Sequence, residues 1–139
     1  MLGMDRTLII LKPDALERGL GDEIIGRIEA IGLKIATSKE MTLDRATAEL
    51  HYAEHEGKPY YAPLVDFITR GPVLVAIVEG PQDTWQAVRT LMGATDPKNA
   101  APGTIRGDLA TEMSENLIHG SDSADSAKRE IGIFFPELA

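Results

Sequence analysis

The run Val73–Val78, reading VLVAIV between Gly71–Pro72 and Glu79–Gly80, is the feature that most constrains the fold. Six consecutive apolar residues of strand length, rich in valine and isoleucine, suit a central strand covered on both sides or lying on a tight interface. Such a strand needs paired neighbours and helices to cover it. Thr7–Leu11 supplies one neighbour, a buried strand ended by Lys12, Pro13 and Asp14, which stop pairing and turn the chain. Leu33–Leu43 supplies another: Leu33, Ile35, Met41 and Leu43 alternate with Lys34, Ser38, Glu40 and Thr42, the pattern of a half-buried strand that Thr37 and Lys39 weaken.

Helical patterns separate these strands. Asp22 and Glu23 stand where a helix N-terminus favours acids, and Ile24, Ile25, Ile28 and Ile31 make one apolar face before Gly32. Asp44 opens a short helix with Ala46, Leu50 and Ala53 at helical spacing. A second follows Gly57–Pro59, carries Leu64, Phe67 and Ile68, and stops at Gly71–Pro72, so the two make a helical hairpin. All three tyrosines, Tyr52, Tyr60 and Tyr61, fall around its turn with His51, His55 and Lys58. Asp83 and Gln86 resemble a capping box for a helix that turns Trp85, Val88 and Met92 inward, carries Arg89 and ends at Gly93. Ala94–Glu115 shows little periodicity and is punctuated by Pro97, Pro102, Gly103 and Gly107; a structureless stretch of this length in a small domain is usually functional or disordered, and its polar content favours function. Ser123 is an N-cap candidate for a last helix with Ala124, Ala127 and Ile131 at helical spacing and Glu130 two turns along, followed by an apolar tail docked on the body. Helices alternating with about four strands indicate an α+β two-layer sandwich; strand order does not follow from the count.

The 139 residues, 43% of them hydrophobic and 26% charged, suit a single domain over 1–139 with a real core. A formal net charge of -8 argues against nucleic acid or an anionic membrane surface as partner, and an anionic substrate would need locally focused cations. With no cysteine there is no disulfide and no thiolate metal site. Neither a signal-peptide pattern nor a membrane-length apolar segment is present, so a cytoplasmic location is expected.

Chemistry concentrates in Asn116–Ser123, NLIHGSDS, where a short apolar run delivers His119 onto a glycine turn that opens into the last helix. Much of an imidazole is unprotonated at neutral pH, and its orientation depends on what holds the second ring nitrogen. A lone histidine at a strand end is ordinarily satisfied locally, so His119 gains weight only in company. Ser121 and Asp122 suggest a hydrolase triad, but near-neighbours in sequence rarely meet in that geometry. The chain has no GxxxxGK[ST] loop, and RGLGDE lacks the third glycine of a dinucleotide fingerprint. His51 and His55 lack the glutamate of HExxH and read as residues on a solvated helix face.

Company is found in Lys12, the YAEHEGKPYY hairpin, Arg89, the segment PGTIRGD (102–108) and NLIHGSDS, which together resemble the nucleoside diphosphate kinase family over nearly the whole chain. The resemblance implies a ferredoxin-like βαββαβ antiparallel sheet with an inserted helical hairpin. It implies reversible, ping-pong transfer of the terminal phosphate from a nucleoside triphosphate, typically ATP, to a nucleoside diphosphate through phosphorylated His119. Lys12 and Asn116 would reach the ribose hydroxyl and phosphates; Arg89, Thr95 and Arg106 would hold the phosphate chain; Tyr60 would stack on the base; Tyr52, Ser121 and Glu130 would surround His119. The partners implied are ATP, ADP, GTP, GDP and their relatives with Mg2+ carried on their phosphates, and a homo-oligomer, hexamer rather than tetramer. Three cations against a polyanion agree with what phosphoryl transfer requires, positioning and charge neutralisation. The chain departs from the pattern at Tyr60, usually phenylalanine, at Met113, usually a smaller aliphatic residue, at Asp22, usually glycine, and in its shorter tail. Two other classes compete: a binding-only module with a degenerate site, disfavoured because every motif residue is present, and an RNA-binding sheet, which needs strand aromatics and a basic face absent here.

Overall fold

The computed structural model describes residues 5–138, so the outermost ends of the 1–139 domain reading, and the first four residues of the stretch read above for a signal-peptide pattern, lie outside the described residues. Four strands form one antiparallel sheet in the order β2-β3-β1-β4, with β1 at Asp5–Leu11, β2 at Lys34–Met41, β3 at Val73–Gly80 and β4 at Ile118–Gly120. The apolar run is therefore central: β3 pairs with β1 from Asp5↔Gly80 to Leu11↔Leu74 and with β2 on its other side. On β2 the pairing shifts between Ile35 and Thr37, which accounts for the weakened alternation there.

Side chains alternate across the two central strands and divide the interior into two cores. Ile9, Leu11, Ala76 and Val78 point to one face, packed by α2 (Gly21–Ala30) through Ile24 and Ile28 and by α5 (Thr84–Met92) through Val88 and Met92. These helices and the sheet make the ferredoxin-like βαββαβ sandwich. Leu8, Ile10, Val75 and Ile77 point to the other face, which the hairpin helices α3 (Arg45–His51) and α4 (Tyr61–Ile68) cover with α7 (Ala124–Phe134), through Ala48, Val65, Ile68, Ile131 and Phe134. The inserted hairpin thus closes the face that a bare two-layer sandwich leaves open, so the central strands are buried on both sides.

Local chemistry sets the ends. Asp44 and Ser123 cap α3 and α7 by accepting from the backbone N–H of Thr47 and Ser126. The Asp83 capping box does not form: Asp83 adopts φ 63, its own N–H is taken by Asp5 Oδ2 at 2.7 Å, and its side chain makes no cap bond. Lys12–Asp14 is more than a turn, because Pro13 sits at the first position of a short helix, α1 (Pro13–Glu17). Ala94–Glu115 is not structureless. Thr104 caps a one-turn helix, α6 (Ile105–Leu109), whose Gly107 is obligatory, since a Cβ there would lie 2.0 Å from the Ala101 carbonyl oxygen.

Two expected faces are corrected. Ile31 lies beyond the end of α2 and is 49% exposed. On α3 the inward residues are Ala48, His51 and, just past its end, Tyr52, while Leu50 is 55% exposed and Ala46 and Ala53 face solvent. The helix is turned so that a histidine, not a leucine, meets the interior.

Candidate active site

The β1–β4 pairing builds the site. β4 lies against β1 with His119 opposite Ile10, and one residue beyond that register β1 ends and Lys12 turns into α1. Lys12, Asn116 and His119 are thereby carried to one edge of the sheet, where they line a cleft of about 550 Å³ with Tyr52, Tyr60, Arg89, Thr95, Arg106 and Glu130. Of the ten residues singled out from the sequence, only Ser121 lies outside the lining, one bond behind it.

Glu130 reaches His119 from α7. Its Oε1 lies 2.7 Å from His119 Nε2 and accepts from Ser121 Oγ at 2.8 Å, and the carboxylate is 3% exposed. A carboxylate accepts only, so Nε2 carries the proton and Nδ1 keeps its lone pair. Ser121 spends its hydroxyl on Glu130 and the Leu8 carbonyl rather than on His119, and Asp122 is exposed, which disposes of the hydrolase triad. Gly120 packs closely on α5: a Cβ would come 2.6 Å from Met92 Sδ and make that side chain shift, and the Gly120 carbonyl accepts from Arg89 Nη1 at 2.9 Å.

The cations are held differently from one another. Lys12 Nζ donates to Asn116 Oδ1 at 2.9 Å, and burial, with Arg106 nearby, lowers its pKa to about 8 against a smaller opposing pull from Asp14. Arg106 is 4% exposed and gives three of its N–H groups to the carbonyls of Asn116, Gly93 and Ile118. It therefore ties α6 to β4 as well as charging the cleft, and burial beside Arg89 brings its pKa down to about 10. Thr95 is exposed on the loop after α5, where its carbonyl meets Asn116 Nδ2 at 3.5 Å. At the other end of the cleft Tyr60, 46% exposed, stands edge-on to His55 at 5.3 Å, with Leu64, Phe67 and the 60%-exposed Met113 on the same lining. The cleft thus has a cationic end and an apolar, aromatic end.

Three contributors escaped the sequence reading. Asp14 is 1% exposed; its Oδ2 accepts from the Leu117 N–H at 3.1 Å, and desolvation raises its pKa. Leu117 has φ 75, and the Ile118 N–H bonds back to the Asn116 carbonyl at 2.9 Å, a γ-turn that a non-glycine residue adopts only under strain. The Lys12 N–H holds the same turn through the Leu117 carbonyl at 2.8 Å. His51, expected on a solvated face, is 2% exposed and edge-on to His119 with ring centroids 4.6 Å apart, and burial drives its pKa down to about 2. The Ala48–His51–Tyr52 spacing is the one signal that could have shown it.

The family model described as nucleoside diphosphate kinase matches residues 5–139. A protein called nucleoside diphosphate kinase from Parafrankia sp. is 54% identical over 138 residues, 99% of this chain and 100% of its own. One of the same description from Thermomicrobium roseum is 56% identical over 96% of this chain and 89% of its own. Among solved structures, a halophilic nucleoside diphosphate kinase from Halobacterium salinarum in complex with CDP is similar at a TM-score of 0.92 and 50% identity, over 96% of this chain and 88% of that one. With the sheet order, the inserted hairpin and the histidine cleft already in place, these likenesses leave one assignment: the chain belongs to the nucleoside diphosphate kinase family.

Proposed function

We propose that His119 Nδ1 carries the phosphate in this enzyme's reaction, the transfer of a terminal phosphate from a nucleoside triphosphate to a nucleoside diphosphate. The observation that carries this reading is the Glu130 bond to Nε2, which leaves Nδ1 unprotonated in a cleft lined by Lys12, Arg89 and Arg106. Attack of Nδ1 on the terminal phosphorus forms the N–P bond as the bond to the bridging oxygen breaks, and the diphosphate departs with that oxygen. The Nε2 proton stays facing Glu130 throughout, so the positive charge that develops on the ring is met by a carboxylate without a proton being moved. A second diphosphate entering the same cleft reverses the step.

Lys12, Asn116, Arg89, Thr95 and Arg106 would bind the phosphates and ribose, with Tyr60 under the base and Tyr52, Ser121 and Glu130 holding the histidine. Neither stacking nor these contacts read a base edge, so purine and pyrimidine nucleotides are all accepted. Magnesium suits the site as a companion of the nucleotide. It prefers oxygen ligands and keeps its waters, whereas the one group of three ligating side chains among the described residues, His51, His119 and Glu130, is mostly nitrogen. Asp122, on the cleft lining, would meet its water shell. Magnesium supplies charge neutralisation on the phosphate oxygens.

No described helix is long and apolar enough to cross a membrane; the cytoplasmic placement and the single-domain reading of 1–139 stand as proposals beside it. So does the homo-oligomer, hexamer rather than tetramer, for which light scattering at micromolar concentration must give a multiple of the chain mass.

The carrier is tested by the half-reaction. Incubated with γ-labelled ATP and magnesium but no acceptor, the protein takes up acid-labile, alkali-stable phosphate, which any diphosphate discharges. His119→Ala abolishes uptake and discharge while still binding nucleotide. Label on Ser121, or full turnover in the His119→Ala protein, would overturn the assignment.

A further inference from the structure

His51 has no role in the reaction as derived, yet it is the polar side chain the fold treats most expensively. Both its ring nitrogens are buried and, among the described residues, neither has a hydrogen-bond partner. A buried imidazole that bonds to nothing calls for a partner that comes and goes, such as a water or an ion. Its surroundings say which. One nitrogen of His51, one of His119 and one oxygen of Glu130 all lie within 4.8 Å of one another, on three different elements, α3, β4 and α7. The His51 ring packs against Tyr52 and Phe134 at centroid distances of 4.6 and 5.6 Å and belongs to the cleft lining.

We propose that His51, His119 and Glu130 form an inhibitory site for zinc(II), distinct from the magnesium that travels with the nucleotide. Two imidazoles and one carboxylate, with the cleft open to supply a water, are a donor set and an open coordination position that zinc favours. The same set is poor for magnesium or calcium, which want oxygen. Ligands bound about 2.1 Å from one tetrahedral zinc stand about 3.4 Å apart. The widest pair therefore closes by at most about 1.4 Å, a movement that side-chain rotation supplies.

The consequence for catalysis follows from the ring's single proton and rests on the reading of His119 as carrier. With Glu130 as partner, that proton is on Nε2 and Nδ1 is the nucleophile. Zinc takes the Nε2 lone pair, and the proton passes through water to Nδ1. The ring stays neutral and nothing is oxidised or reduced, but the nitrogen that must attack phosphorus has become an N–H. Zinc thus switches the carrier off by tautomer without blocking the phosphate cations.

The test uses the full chain without a histidine tag, and metal alone. Cobalt(II), a spectroscopic stand-in for zinc, should give one equivalent of a visible absorption band that zinc displaces. His51→Gln and Glu130→Gln should each weaken it at least about tenfold, and His55→Gln should leave it unchanged, because His55 belongs to Tyr60 and Glu54. Zinc should raise the thermal midpoint of the wild type and not that of His51→Gln. In turnover, stoichiometric zinc should stop the wild type reversibly on adding a chelator, while His51→Gln, referred to its own metal-free rate, resists zinc at least about tenfold better. No cobalt band, a band indifferent to His51, or zinc inhibition undiminished in His51→Gln would overturn the proposal. A cobalt band lost in His51→Gln together with no phosphate uptake on His119 in the metal-free wild type would support the metal site and refute the carrier, so the two readings fail separately.

Discussion

Raising the pH from 7 to 9 should make this enzyme slower and, through the same residue, more stable. Burial at the end of β1, with Arg106 nearby, holds the Lys12 pKa at about 8 instead of its usual 10.5. The free enzyme therefore has Lys12 about ten to one protonated at pH 7 and about one to ten at pH 9, and kcat/KM, which reports the free enzyme, should fall about tenfold across that interval. Nucleotide phosphates finish titrating near pH 6, below the window. A bound polyanion holds the lysine charged, so kcat should move little and the loss should appear in KM. The neutral amine still donates to Asn116 Oδ1, so the cleft keeps its shape. For stability the sign reverses. Unfolded, the lysine keeps its proton to about 10.5, so between roughly pH 8 and 10.5 the unfolded chain binds more protons than the folded one and stability rises with pH. From pH 7 to 9 the gain is on the order of 1 kcal/mol. Lys12→Met removes both effects. The assays are kcat and KM for ATP, and urea midpoints, each from pH 7 to 9 for wild type and variant. A wild-type kcat/KM flat over that range, or a stability difference between the two proteins that does not change with pH, would refute the reasoning.

Glu130→Gln exchanges a charged hydrogen bond to His119 for a neutral one, a difference of about 1 to 1.5 kcal/mol, and phosphate uptake by His119 should slow by about five- to tenfold in rapid-quench experiments. Asp14→Ala leaves the strained Leu117 without the acceptor for its N–H and should cost about 1–3 kcal/mol in urea unfolding, whereas Asp14→Asn, which keeps an acceptor, should cost less. Equal losses in both would remove Asp14 from the γ-turn. Tyr60→Ala should raise KM for adenine, guanine and pyrimidine diphosphates together; a selective loss of one base would show edge recognition rather than stacking.

Much of the fold is local and was legible for that reason. The β3 run, the Asp44 and Ser123 caps and the helical spacing of α2, α5 and α7 are short-range signals, each stated by residues within a few positions of one another. Two of the expectations that failed are ones where a distant group overrode a local one. Asp5 took the Asp83 N–H that a capping box would have used, and the rotation of α3 was set by the sheet face it covers, not by where its leucine falls.

The residues of the cleft were present in the sequence as motifs, and the family resemblance those motifs carry, not the residues taken singly, indicated a histidine phosphotransfer chemistry. What the sequence by itself determined was the inventory: one histidine at a strand end, cations scattered over the chain and an aromatic near the hairpin turn. Only the tertiary structure decided how that inventory is wired, because each deciding contact spans many residues. Asn116 reaches Lys12 across 104 positions, and Asp14 reaches Leu117 across 103. Which ring nitrogen of His119 is free is settled by a carboxylate from α7, whether Arg106 also clamps β4 by three carbonyls, and whether His51 is surface or interior by the turn of α3 on the sheet. Sequence periodicity reports a residue's own backbone; burial and the identity of a distant hydrogen-bond partner arise only when the sheet order β2-β3-β1-β4 brings the segments together.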